Sequence, residues 1–165
     1  MSLKVKIFKN SSFKDHRGFY WTTWKKGIFS KKKFNHDKFS VSKKNVLRGF
    51  HCDFKSWKLV TCVFGKVFFV VADMEKKSKN YLKYKSWILS HKKPTLILIP
   101  PHFANAYLCL SKYCSFHYKW SYSGRYPDVK DQKSFRWDDP KLKVRWPIKK
   151  PILSKRDKNS KFLKI

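Results

Sequence analysis

Lys58-Leu59-Val60-Thr61-Cys62-Val63-Phe64-Gly65-Lys66-Val67-Phe68-Phe69-Val70-Val71-Ala72-Asp73 is a pair of β-branched and aromatic runs parted by one glycine. Such runs favour a pleated, buried backbone, so Lys58 to Val63 and Gly65 to Asp73 each predict a strand. Gly65 suits a tight hairpin turn between them, because a positive φ costs glycine little. Working outward, Tyr84 to Ser90, Thr95 to Ile99, Ala106 to Leu110 and Ser115 to Trp120 repeat the pattern. Pro100-Pro101 ends one run, since neither proline can donate to a ladder. This density of short strands is the all-β pattern of a sandwich, jelly roll or barrel and leaves little room for helices.

The flanks are less regular. Lys25 to Lys38 reads as a short helix or an irregular excursion. From Tyr122 onward Gly124, Pro127, Pro140, Pro147 and Pro151 predict an extended C-terminal arm lying over the barrel, with Lys158 to Ile165 frayed at its end. There is no internal repeat or low-complexity linker. A chain of 165 residues fits one domain, residues 1–165, and is long enough to bury a core.

The formal charge is +30, which raises nucleic acid or an anionic membrane surface as a partner. Of the 40 basic residues only 6 are arginine, and the lysines are spread from Lys4 to Lys164 without a long run. Phosphate clamps and base readers prefer the planar fork of arginine, so the excess reads as a solvated surface. Cys52, Cys62, Cys109 and Cys114 show no CxxC spacing and no signal segment precedes them, so the thiols are expected to be reduced. No apolar run approaches the length of a membrane span. A soluble cytoplasmic protein without a nucleic-acid or membrane partner is the expectation.

Chemistry-bearing residues stand at the edges of these runs. His51 follows Val46-Leu47-Arg48-Gly49-Phe50 and precedes a strongly patterned strand, where its ring could point into a barrel mouth. A lone histidine is more often a satisfied polar group than a catalyst. A metal would need three or four convergent ligands, and the residue two after His51 is Asp53, with no glutamate following where such a site would supply it. Nothing marks Cys52 as a nucleophile. In Phe116-His117-Tyr118-Lys119-Trp120, alternation sends His117 and Lys119 to one face and Tyr118 to the other. Tyr118 could be core, and Asp157 after Ser154 could be an ordinary cap.

Taken together, the chain resembles the dTDP-4-dehydrorhamnose 3,5-epimerase family. The stretches that carry the likeness are Asp15-His16-Arg17-Gly18-Phe19, Asn45 through His51, Lys58-Leu59-Val60, Gly65-Lys66-Val67, Leu98-Ile99-Pro100-Pro101, Tyr118-Lys119, Trp137-Asp138-Asp139, Trp146-Pro147 and Leu153-Ser154-Lys155-Arg156-Asp157. Within the family, His36-Asp37-Lys38-Phe39, Lys58 through Val63, Tyr81-Leu82-Lys83, Tyr122 through Tyr126 and Asp131-Gln132 resemble most the branch acting on GDP-linked 4-keto-6-deoxy-heptoses. The dTDP-rhamnose branch usually writes Gln-Asp-Asn at 36–38, carries a Glu near Thr22, and has a histidine where this chain has Asn105.

The resemblance implies a metal-free cupin jelly-roll barrel with short flanking helices. It implies epimerisation at C3, C5 or both of a nucleotide-linked 4-keto-6-deoxy sugar, a GDP-linked 4-keto-6-deoxy-heptose ahead of dTDP-4-keto-6-deoxyglucose, with no external cofactor. His51 would be the base, paired with Asp157; Lys58 the cation at the C4 oxygen; Tyr118 the acid on the other face. Arg48, Arg17, Asn105 and Lys119 would bind substrate. A homodimer, with the N-terminal strand of one subunit closing the site of the other and Arg17 acting across the interface, is also implied. A C3-only epimerase or sugar keto-isomerase of the same fold stays open, as does a basic nucleic-acid-binding β-barrel using Trp21, Trp24 and Phe50 as stacking platforms.

Overall fold

The computed structural model describes residues 4–27, 29, 31–125 and 131–164. Its strands are β1 (Lys6–Lys9), β2 (Phe13–Asp15), β3 (Gly18–Tyr20), β4 (His36–Lys43), β5 (Leu47–Cys52), β6 (Trp57–Phe64), β7 (Lys66–Asp73), β8 (Tyr84–Ser90), β9 (Thr95–Ile99), β10 (Phe103–Cys109), β11 (Tyr113–Ser121) and β12 (Lys133–Ser134). The one helix among the described residues is α1 (Lys155–Lys158).

Two five-stranded antiparallel sheets, ordered β1-β9-β6-β11-β4 and β12-β5-β10-β7-β8, face each other, and β2 and β3 form a separate hairpin. From β4 to β7 the chain changes sheet at every connection, and it does so again from β8 through β11, which winds it into the jelly roll.

The predicted runs at 84–90 and 95–99 coincide with β8 and β9, and the others lie within a few residues of β6, β7, β10 and β11. Gly65 does turn the chain at φ +79°, and a side chain there would run into the carbonyl of Tyr113. The turn is not a hairpin, however. β6 pairs with β9 and β11, while β7 pairs with β8 and β10, so Gly65 is the corner where the chain passes from one sheet to the other. A glycine signals the bend; which strands then pair is settled by partners far along the chain.

The runs lack alternation because both faces of the sheets are covered. Between the sheets lie Val60, Phe69, Val71, Ile97, Tyr107 and Phe116. On the outer face of the β5-bearing sheet, Phe50, Val70, Ala72 and Ala106 meet Leu142, Leu163 and Trp146 of the C-terminal arm. Outside the other sheet, Leu59, Leu96 and Leu98 meet Phe29, Trp24 and Phe34. The described residues from Lys25 to Asn35 are therefore an irregular cover without a helix, and β4 begins at His36. Ile28 and Ser30, like residues 126–130 with Pro127, lie outside the described residues.

The arm is extended as expected, with α1 in place of several flanking helices. Its end is tied down rather than frayed: Leu163 is buried, its N–H donates to Asp139 Oδ2 at 2.6 Å, and Lys161 bridges to Phe135. The apolar anchor at Leu163 outweighs the entropy that usually loosens termini. Ile165 is outside the described residues.

Candidate active site

At one end of the barrel a cavity of about 180 Å³ opens between the sheets. Its walls include Arg48 and His51 from β5, Lys58 from β6, Asn105 from β10 and Tyr118 from β11. The pleat explains the placement of His51. Phe50 and Cys52 are wholly buried in the outer core, so the intervening His51 must face the opposite way, into the barrel. In the register of β5 with β10, His51 lies directly across from Asn105.

Asp157 arrives from 106 residues away. Ser154 caps α1, its hydroxyl accepting the N–H of Asp157 at 3.1 Å, and this short turn aims the carboxylate at β5. Asp157 Oδ1 lies 2.7 Å from His51 Nε2, and Oδ2 accepts the N–H of Gly49 at 3.4 Å. The side chains are 24% exposed for His51 and 3% for Asp157. Asp157 is thus both the third residue of a capped turn and the orienting partner of the histidine.

Burial by itself would raise the Asp157 carboxyl, but the hydrogen bond and charge of His51, with help from Ser154 and Gly49, bring it below the usual carboxylate range. A folded-state value below the unfolded one contributes stability at neutral pH that disappears as pH falls through the folded value. Asp157→Asn is therefore expected to cost stability at pH 7 and progressively less below about pH 4. Thermal unfolding of both proteins at several pH values measures this.

Tyr118 approaches from the opposite sheet. It packs edge-on to Phe116 with centroids 4.9 Å apart, and burial, then proximity to Tyr107, pushes its phenol well above the usual value. The proton on that oxygen is held firmly, as a donor in the neutral form requires. Arg48 is braced by Nε donating to Ser42 Oγ at 3.0 Å and Nη2 to the Val41 carbonyl at 3.2 Å. Lys58 Nζ donates to Asn105 Oδ1 at 3.3 Å. A base oriented by a carboxylate, a neutral phenol on the facing wall and an ammonium lining the same cavity can remove and return a proton at carbon.

Two expected substrate ligands are not at this cavity. Lys119 points to the other face of β11, as the alternation required, where Nζ pairs with Asp37 Oδ2 at 2.6 Å and lies over Trp24. Its neighbour Tyr118 can enter the barrel only because Lys119 does not. Arg17 stands in the turn between β2 and β3, paired with Asp15 at 2.6 Å and 76% exposed, away from the cavity of its own chain.

Trp120, Lys38, Ser40, Gln132 and Arg156 also line the cavity; the stretches holding Lys38, Gln132 and Arg156 carried the resemblance, but none of the five was named from the sequence as a site residue. Period-two spacing from Tyr118 would have pointed to Trp120. Nothing local marks Lys38, which reaches the wall because β4 pairs with β11 and sets it across from Tyr118.

A larger cavity of about 640 Å³ lies beside Phe54, Met74 and Phe162, but its acid–base pair, His102 with Glu75 at 3.3 Å, is exposed on both sides. The smaller cavity is the chemically equipped one. Among the described residues no His, Cys, Asp and Glu side chains group as a metal would need, and no helix is long and apolar enough to cross a membrane. Burial pushes the Cys52 thiol up to about 12, leaving it inert as a nucleophile.

Residues 3–164 match the family model described as dTDP-4-dehydrorhamnose 3,5-epimerase. The protein of that description from Shigella flexneri is 32% identical over 163 residues, spanning 94% of this chain and 88% of its own. The dTDP-6-deoxy-D-glucose-3,5-epimerase of Legionella pneumophila Philadelphia 1, solved in complex with dTDP-4-keto-L-rhamnose, superposes with a TM-score of 0.87 at 30% identity, covering 96% of this chain and 87% of that one. The dTDP-4-dehydrorhamnose 3,5-epimerase of Bacillus anthracis str. Ames, with TDP and PPi bound, gives 0.89 at 26% identity, covering 97% and 94%. Matched along nearly its whole described length by a family model, a relative and solved folds, the chain belongs to the dTDP-4-dehydrorhamnose 3,5-epimerase family, whose members are nucleotide-sugar isomerases.

Proposed function

We propose that this chain inverts C3 and C5 of a dTDP-linked 4-keto-6-deoxy sugar, without an external cofactor, using His51 and Tyr118 from opposite walls of the cavity. The observation that carries the reading is the His51–Asp157 pair on one side and the partly buried phenol of Tyr118 on the other.

C3 and C5 flank the C4 ketone, so loss of either proton gives an enolate. His51 takes the proton through its inward nitrogen while Asp157 holds the other nitrogen and stabilises the imidazolium. The ammonium of Lys58 lies where the C4 oxygen gathers charge, and a fixed cation in a dry site stabilises the enolate more than the ketone. Tyr118 returns a proton from the opposite face, and the carbon is inverted. Arg48 offers its remaining N–H groups to sugar or diphosphate oxygens.

Tyr118→Phe separates the two half-reactions. It is expected to slow inversion by about 10²- to 10⁴-fold, while deuterium still enters at C3 from the His51 face with retention. Equal loss of exchange and inversion would remove Tyr118 from the reprotonation step.

The names of the matched relatives and the ligands of the solved neighbours favour dTDP. A GDP-linked 4-keto-6-deoxy-heptose is the second reading. It rests on the 36–39 stretch, whose Lys38 reaches the cavity, and on Asn105, which lines it where the dTDP-rhamnose branch has histidine. A second copy of the chain would complete the site. The β2–β3 hairpin pairs with neither large sheet and exposes Phe13 (65%), Phe19 (43%) and Tyr20 (66%) beside the exposed guanidinium of Arg17, whose partner Asp15 lies on the same hairpin, as an arm reaching a partner would.

Proton NMR in D2O with dTDP- and GDP-linked 4-keto-6-deoxy sugars tests the reading. Loss of both the C3 and C5 signals establishes the 3,5-epimerase and its nucleotide. Loss of C3 alone makes the protein a 3-epimerase, and no exchange with any 4-keto sugar overturns the assignment.

A further inference from the structure

We infer that Asp53 is a positioning residue for this reaction, fixing the ammonium of Lys58 in the cavity with its charge balanced; the inference rests on the epimerase reading above. Asp53 and Lys58 are 2% and 3% exposed, and Oδ2 of the first lies 2.9 Å from Nζ of the second. Asp53 borders another cavity, beside Arg125 and Asp131, and does not line the one that holds His51, whereas Lys58 does, so in that cavity the carboxylate acts through the lysine.

The two oxygens of Asp53 have separate tasks. Oδ1 accepts the backbone N–H groups of Lys55 at 3.1 Å and Ser56 at 2.7 Å, closing the turn that leads into β6. Oδ2 takes no hydrogen bond from those amides and faces the ammonium. On its far side Nζ donates to Asn105 Oδ1 and stands 4.5 Å from the centroid of the Trp120 ring. The ammonium is therefore held from three directions.

A buried cation without a counter-charge is unstable as a cation: it sheds its proton or swings toward water. With Asp53 2.9 Å behind it, Nζ of Lys58 keeps its position in a nearly dry site, and no reorganisation is needed when the C4 oxygen becomes an enolate. Asn105 adds direction, which gives it a role through Lys58 besides any contact with the sugar.

Asp53→Asn tests this because the amide retains an oxygen to close the turn while removing the charge that faces Lys58. Deuterium exchange at C3, affinity for dTDP or GDP (whichever sugar nucleotide the unaltered protein exchanges) and the thermal midpoint would be compared for Asp53→Asn, Asp53→Ala, Lys58→Met and the Asp53→Asn/Lys58→Met pair. Asp53→Asn is expected to lose about 10²-fold in the exchange turnover rate, with nucleotide affinity nearly unchanged. The double variant should be no slower than Lys58→Met alone, since groups acting as a unit are not additive. If Asp53→Asn fails to fold, recovery of folding in the double variant supports the same role.

Three results would overturn it: wild-type exchange in Asp53→Asn alongside a defective Asp53→Ala, full additivity in the double variant, or a double variant that unfolds like the single one. Each would place Asp53 in the turn and not in the chemistry. Absence of exchange in the unaltered protein is a different result and removes the epimerase reading itself.

Discussion

His51→Gln is expected to fold and to exchange the C3 proton about 10³-fold more slowly than the unaltered protein, the range typical of a lost general base. The reason lies in what glutamine keeps and what it lacks. Its terminal amide reaches the position of His51 Nε2, now 2.7 Å from Asp157 Oδ1, and can donate there, so the 3%-exposed carboxylate is not left as an unpaired buried charge, which would itself destabilise the fold. It has no nitrogen that accepts a proton near neutral pH. The loss should therefore fall on turnover, with nucleotide affinity largely retained because Arg48 is braced independently by Ser42 and Val41. NMR exchange in D2O and nucleotide titration measure the two quantities; full exchange in this variant would remove His51 as the base.

Gly49→Ala is expected to be more damaging although it touches no proton. A methyl group there would lie 2.6 Å from the Cβ of Ala106 and 2.7 Å from the carbonyl oxygen of Asn105, on a backbone with φ +122°. Real Cβ atoms do not approach so closely, and the obstacle is the backbone and Cβ of β10 rather than a flexible side chain. Overpacking and an unfavourable φ together cost about 2–6 kcal/mol, a large share of the stability of a domain this size. The same shift would move Arg48, Asn105 and His51 and lengthen the Gly49 N–H contact to Asp157. The expected outcome is a marked fall in thermal midpoint and loss of exchange, measured by calorimetry and NMR. A variant as stable and active as the original would show that β5 and β10 can separate at this point without cost.

Part of this was legible in the order of residues. The runs that became β6 to β11 were readable because β-branched and aromatic side chains favour strands wherever they pack. The placement of Tyr118 and Lys119 on opposite faces followed from the period of two. β4 was not legible: His-Asp-Lys-Phe-Ser-Val-Ser-Lys has weak strand character and is held chiefly by its ladder with β11. The meaning of Gly65 was half legible, a bend without its direction, since pairing depends on partners remote in sequence.

The motifs around His51, Lys58, Tyr118 and Asp157 carried the family and the kind of chemistry, because a proton-transfer site needs those side-chain types and leaves them visible. What the sequence by itself determined was thus an all-β domain bearing the groups for proton transfer next to a ketone. Tertiary structure decided which of those groups meet. It joined Asp157 to His51 across 106 residues, set Asp53 behind Lys58, sent Lys119 to Asp37, and left Arg17 outside its own cavity. Distances between segments far apart in the chain arise from sheet order and closure, and no local pattern of residues encodes them.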